Sequence, residues 1–171
     1  MIDESAINLT IDKILAREGG FVNDPADRGG ATNYGITAGT LGDWRKLKRH
    51  ATSEEVQALS MAEARAIYRA NYVEPFLFVG DPELLDVVVD CAVNSGPPQA
   101  VKFLQRALGV VADGIVGDIT RNAVGAAVLS KLKYRFVAAR VKFLGEFVAN
   151  NPSQLRFIRG WLNRAVEPLE A

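Results

Sequence analysis

Hydrophobic positions recur at helical spacing along most of the chain. Ile7, Ile11, Ile14 and Leu15 fall on one face, which predicts an amphipathic helix closed by Gly19-Gly20. The pattern then stops. Residues 21 to about 36 are rich in Asn, Asp, Gly and Pro and predict a loop, with a short hairpin the most regular element it allows. Thr37 caps a short helix over about 37–47, and Thr52-Ser53-Glu54-Glu55 opens another that breaks near Ser60. Ser60-x-x-Glu63 is a capping-box pattern whose helix is expected to reach about Tyr72, before Pro75, Gly80 and Pro82 interrupt the chain. Leu84, Leu85, Val87, Val88, Val89 and Val93 cover most of a helical circumference, so 83–93 reads as a buried helix.

Asn94-Ser95-Gly96-Pro97-Pro98 is the strongest interior boundary. Beyond it come a helix over about 99–108, a turn at Asp113-Gly114, a helix from about Asp118 and a long one over about 128–149. Leu132, Phe136, Phe143 and Phe147 share one stripe of that long helix; Pro152-Ser153 opens the last, with Leu155, Ile158 and Leu162 expected to face inward. The expectation is a mainly α protein. Residues 1–96 form one region and 97–171 a C-terminal helical subdomain, packed together as one globular unit.

Composition narrows the classes. The chain has 171 residues, with 20 basic and 20 acidic side chains, which argues against bulk electrostatic capture of nucleic acid. The balance is uneven: from Arg121 onward nine basic residues (Arg121, Lys131, Lys133, Arg135, Arg140, Lys142, Arg156, Arg159, Arg164) meet three acidic ones (Glu146, Glu167, Glu170). Cys91 is the single cysteine and His50 the single histidine, which disfavours a disulfide framework, a Cys/His nucleophile and a His-rich zinc site. Cys91 lies in an apolar run and reads as a buried thiol, with Asp90 beside it as a buried hydrogen-bonding residue. No segment has the apolar length of a membrane span, and the N-terminus lacks a basic stretch leading into an apolar one. Synthesis in the cytoplasm without a signal peptide, and no stable membrane insertion, are therefore expected.

The candidate chemistry sits where the first helix ends. Acid–base cleavage of a glycosidic bond needs one carboxylic acid to protonate the leaving oxygen and usually a second carboxylate for water or the developing cation. Glu18 lies at the helix end before two glycines, and Asp24, Asp27, Thr32, Asn33 and Tyr34 follow within one compact stretch. Asp27 stands nine residues after Glu18 and Thr32 five further on, so a carboxylate and a hydroxyl can face the acid across a short loop. The aspartates are also what ordinary turns contain. Arg17 would depress the Glu18 pKa if it lay close; adjacent helix positions diverge by about 100°, which turns it away.

The run Glu18-Gly19-Gly20-Phe21-Val22-Asn23-Asp24-Pro25-Ala26-Asp27-Arg28-Gly29-Gly30-Ala31-Thr32-Asn33-Tyr34-Gly35-Ile36-Thr37 resembles glycoside hydrolase family 108, N-acetylmuramidases found as phage endolysins and bacterial secretion activators. Ala64-x-x-Ile67-Tyr68-x-x-x-Tyr72 and Asp90-Cys91-Ala92-Val93-Asn94-Ser95-Gly96 extend the likeness. Leu104-Gln105-x-x-Leu108, Asp113-Gly114-Ile115-Val116-Gly117, Thr120 and Gly160-Trp161-Leu162-Asn163-Arg164 are similar to the peptidoglycan-binding region that accompanies the family.

The resemblance implies a lysozyme-like helical core with Glu18 as catalytic acid, cutting between N-acetylmuramic acid and N-acetylglucosamine. The order Glu, Asp, Thr is similar to the triad of phage-type lysozymes, with an Asp-to-Thr gap one residue shorter; Asp27 ranks first and Asp24 second as the partner carboxylate. Thr32, Asn33, Tyr34 and Asn94 are the candidate substrate contacts, with helix capping the competing role for Asn94, and no metal or cofactor is required. Tyr34, Tyr72, Trp44 and Trp161 offer faces for sugar stacking. Peptidoglycan strands are the expected partner, a holin or export system would deliver the enzyme to the wall, and a monomer is expected. Two other readings stand beside this one: a non-catalytic wall-binding or secretion-assisting protein, and a lytic transglycosylase.

Overall fold

The computed structural model describes residues 2–23 and 30–169. By internal packing the chain forms two compact units, Asp3–Pro75 and Phe76–Ala171 with Met1–Ile2.

The first unit opens with α1 (Glu4–Arg17), capped by the Asp3 carboxylate, which accepts from the Ala6 N–H at 2.8 Å. Its predicted face is buried through Ile7, Ile11 and Ile14. The loop yields the short hairpin: β1 (Thr32–Asn33) pairs antiparallel with β2 (Ile36–Thr37), Thr32 opposite Thr37 and Asn33 opposite Ile36. Tyr34 and Gly35 between them have φ of +52° and +73°, the two left-handed residues that a tight two-residue hairpin turn demands.

Helices α2 (Ala38–Trp44) and α3 (Ser53–Gln57) are capped by Thr37 and Thr52, and Thr52 with Glu55 completes a capping box. In α4 (Met61–Tyr68) the Ser60 hydroxyl accepts from the Glu63 N–H at 3.1 Å, but the Glu63 carboxylate does not reach back. It takes Nε and Nη2 of Arg45 at 2.8 and 2.6 Å instead. The expected run to Tyr72 changes form: α4 passes into a π-helical turn, Arg69–Val73, and a 3-10 segment, Glu74–Val79. Pro75 does not stop the chain: the Glu74 N–H before it still bonds the Arg69 carbonyl, and from Pro75, which has no N–H to continue that ladder, the path carries on as the 3-10 segment. Arg65 bonds Asp12 and, at 3.2 Å, Asn8, while Arg69 takes both oxygens of Glu4 at 2.7 and 2.8 Å, so α4 and the π turn are fastened to α1.

The second unit contains α5 (Pro82–Ser95), α6 (Pro97–Leu108), α7 (Asp118–Ala126), α8 (Leu129–Asn150) and α9 (Ile158–Val166). Helix α5 is buried as its pattern predicts and packs on α6 and α8. Gly96, at φ +84°, is the whole break before α6, which starts two residues earlier than expected because both prolines fit its first turn. Phe103 stands edge-on to Phe136 and Phe143 at 6.2 and 5.2 Å, locking α6 onto α8. One expectation fails: Leu155 is 62% exposed. Pro152–Phe157 winds as a 3-10 segment, so the α-helical spacing that grouped Leu155 with Ile158 and Leu162 does not apply.

Buried polar groups fix the rest. Gln105 Nε2 reaches Asp113 Oδ1 at 2.7 Å and the Ile115 carbonyl at 2.9 Å, and its Oε1 accepts from the Gly114 N–H at 2.9 Å, so one glutamine shapes the Asp113–Gly117 turn. Asp90 is buried, with Oδ2 paired to Arg140 Nη1 at 3.0 Å and Oδ1 to Arg164 at 3.1 Å. No helix among the described residues is long and apolar enough to cross a membrane.

Candidate active site

Glu18 is the residue at which α1 stops. Its N–H still bonds the Ile14 carbonyl at 3.1 Å, but its backbone has turned extended (φ −84°, ψ 140°), so the side chain leaves from a fixed helix end. The following strand-like segment is tied to the hairpin by two bonds of 2.8 Å between Val22 and Thr32 and by the Tyr34 N–H on the Gly19 carbonyl at 3.1 Å. Those bonds bring the turn of the hairpin back onto the helix end.

The result is a close cluster. A Cβ placed on Gly35 would lie 2.5 Å from Glu18 Oε2, 2.8 Å from Glu18 Cδ and 2.7 Å from the Tyr68 hydroxyl. Carboxyl, phenol and bare Cα therefore share one small volume. The Tyr68 hydroxyl donates to the Tyr34 carbonyl at 2.8 Å, and its ring, 2% exposed, is part of the core. One turn on, Tyr72 packs against Tyr68 with ring centroids 5.5 Å apart. Burial, and secondarily the charge of Glu18, push the Tyr72 phenol above its ordinary pKa, so it stays neutral. Glu18 itself is half-buried, between this aromatic wall and the surface.

The other predicted residues separate. Thr32 is half-buried at the Val22 bridge, and Tyr34 is half-buried at the left-handed turn. Asn33 points into the fold, donating to the Val56 and Gln57 carbonyls at 3.0 and 3.3 Å, which anchors β1 on α3. Asn94 is exposed in the second unit and donates to the Asp90 carbonyl of its own helix at 2.6 Å. Asp24 and Asp27 lie outside the described residues. Gly35 and Tyr68 are the positions that residue-by-residue reasoning passed over. The signal for Tyr68 was present as the Tyr68-x-x-x-Tyr72 spacing, which stacks two rings on one helical face.

The sequence profile of glycosyl hydrolase 108 matches residues 11–96, and that of a predicted peptidoglycan domain matches residues 99–166. The chain belongs to the glycosyl hydrolase 108 family. The first match contains Glu18, Gly35, Tyr68 and Tyr72. The solved structure of Brucella abortus SagA is similar, with 32% identity, 96% of each chain covered and a TM-score of 0.73. No curated protein matches the chain. This family 108 chain is thus a mainly α glycoside hydrolase with a lysozyme-like core and an appended peptidoglycan region.

Proposed function

We propose that the chain is an N-acetylmuramidase that hydrolyses the bond between N-acetylmuramic acid and N-acetylglucosamine, with Glu18 as proton donor. The single observation that carries this reading is the placement of the Glu18 carboxyl at the bare Cα of Gly35, beside the Tyr68 phenol. A carboxyl on a rigid helix end, half-buried against aromatic rings and without a side chain opposite it, has the attributes of a general acid that must approach a bulky polymer. Asp27 supplies the second carboxylate, positioning water or stabilising the oxocarbenium-like transition state, with Asp24 next in rank. Thr32 and Tyr34 border the same turn and serve as substrate contacts.

Residues 1–96 carry out the cleavage in this reading and 97–171 hold the wall, a division supported by the glycosyl hydrolase match over 11–96 and the peptidoglycan-domain match over 99–166. In this reading the protein is an endolysin-type enzyme that works as a monomer and is brought to the wall by a holin or an export partner. The test is a digest of purified peptidoglycan followed by product mass spectrometry. Hydrolysis yields new reducing ends with the mass of added water; anhydromuramyl products would instead mark a lytic transglycosylase, and no products a wall-binding protein. Glu18→Gln should abolish product formation while the thermal melt stays near that of the wild type. Retained cleavage in that variant would end the assignment.

A further inference from the structure

The second unit has an open pocket of about 340 Å³ between α5, α8, α9 and the 3-10 segment before α9. Its size falls in the range of small-molecule sites. The charged residues on its wall are Arg140 and Arg164, and both are paired to the same carboxylate, Asp90. Two guanidiniums on one carboxylate leave the wall with one net positive charge. Arg140 is fixed, its side chain 6% exposed; Arg164, at 32%, reaches the opening. The Arg164 bonds use Nε and Nη2, which leaves the Nη1 group of the planar fork for an acceptor from outside.

The remaining wall is mostly aromatic and amide, with Leu144 and Ser95 completing it. The Trp161 ring centroid lies 6.0 Å from that of Phe147, which is tilted to it, and 5.8 Å from that of Phe157, which stacks on it; these contacts restrict its side chain, so presenting it to a ligand costs little side-chain entropy. Asn94, the sequence candidate distant in the chain from Glu18, stands on this wall, and its amide oxygen remains an acceptor after Nδ2 bonds the Asp90 carbonyl. A cation, an amide acceptor and a flat apolar face describe a site for a short peptide with a free carboxylate, since an uncharged sugar alone would leave the cation unanswered.

We propose that this cavity binds a free carboxylate of the peptide stems attached to the wall glycan, Arg164 pairing with it while Trp161 and Phe147 cover the neighbouring aliphatic carbons. The proposal rests on the reading of the chain as peptidoglycan-directed. Its test is calorimetric titration of the full chain bearing Glu18→Gln, which prevents turnover, with three soluble fragments. These are a disaccharide carrying a stem peptide with free carboxylates, the same fragment with those carboxylates amidated, and the disaccharide without peptide whose lactyl carboxyl is amidated. The free-carboxylate fragment should bind at least ~10-fold more tightly than the others, and Arg164→Gln should remove that advantage. Equal binding of all three fragments, or an unaltered preference in Arg164→Gln, overturns the site. If Arg164→Gln does not fold, the comparison of fragments on the intact cavity decides. Cleavage by the unmutated chain is scored separately: binding without cleavage sinks the muramidase reading and spares the cavity, and cleavage without the carboxylate preference does the reverse.

Discussion

Glu18 and Gly35 are packed so that the carboxyl of the first occupies the space a side chain on the second would need, with Oε2 2.5 Å from the position of a Cβ. Gly35 also holds φ +73°, where an L side chain adds about 1–2 kcal/mol of backbone strain. Gly35→Ala is therefore expected to displace the Glu18 carboxyl, to lower kcat at least ~10-fold and to destabilise the fold by about 2 kcal/mol or more. Thermal melts and reducing-end assays on the same preparations check both parts. An alanine variant of wild-type activity would mean that the carboxyl does not work from this position.

The Tyr68 hydroxyl ties the core to the hairpin turn through the Tyr34 carbonyl. Tyr68→Phe keeps the ring and leaves that carbonyl short of a donor, which is expected to destabilise the fold by about 1–2 kcal/mol. Because the turn also positions Gly35, kcat should fall while KM changes little. A loss confined to KM would assign Tyr68 to substrate binding instead.

Asp27 and Asp24 are separated by kinetics. Asp27→Asn should lower kcat by about 100-fold or more, in keeping with loss of an acid–base partner, and Asp24→Asn by less. The reverse order of the two variants, measured on peptidoglycan under one set of conditions, exchanges their roles.

The Arg45–Glu63 pair makes stability depend on pH in a defined direction. Hydrogen bonds from Arg45 hold the Glu63 carboxyl below its ordinary pKa. A carboxylate depressed in the folded state stabilises the protein above its unfolded pKa of about 4.3, and that contribution is lost as pH falls through the folded value. Wild type should exceed Glu63→Gln by about 0.5–1 kcal/mol at neutral pH, and the gap should close progressively in the acid range below the unfolded value. Denaturant unfolding of both proteins across that range reads it directly; a gap independent of pH contradicts it.

Burial pushes the Cys91 thiol up to about 11, and the side chain is 0% exposed. Reaction with a disulfide reagent at mildly alkaline pH should be on the order of a hundredfold slower in the folded chain than in denaturant, because it must wait for opening of α5. Equal rates would show that α5 is loosely packed.

Glycine and proline punctuation, capping residues and apolar periodicity were enough to read α1, α2, α3, α5 and the order of the C-terminal helices, because each is a local preference carried by neighbouring residues. The helix end at Glu18 was legible for the same reason, and the run from Glu18 to Thr37 was sufficient to point to the family. The Glu63 carboxylate was not legible: the capping box competes with a guanidinium from a residue far back in sequence, and charge-assisted pairing wins. Leu155 was misread because periodicity assumes one helical form throughout.

Which residues can donate a proton, and where the helices start, follows from the order of residues alone, since those properties belong to side chains and to short stretches of backbone. Which groups meet is settled by the packed chain. It closed the Tyr34–Gly35 turn over the end of α1, set the Tyr68 phenol against Glu18, and gathered Asp90, Arg140 and Arg164 from three helices around one cavity. Those encounters depend on bonds between residues distant in the chain, whose partners are chosen by packing and not by local preference.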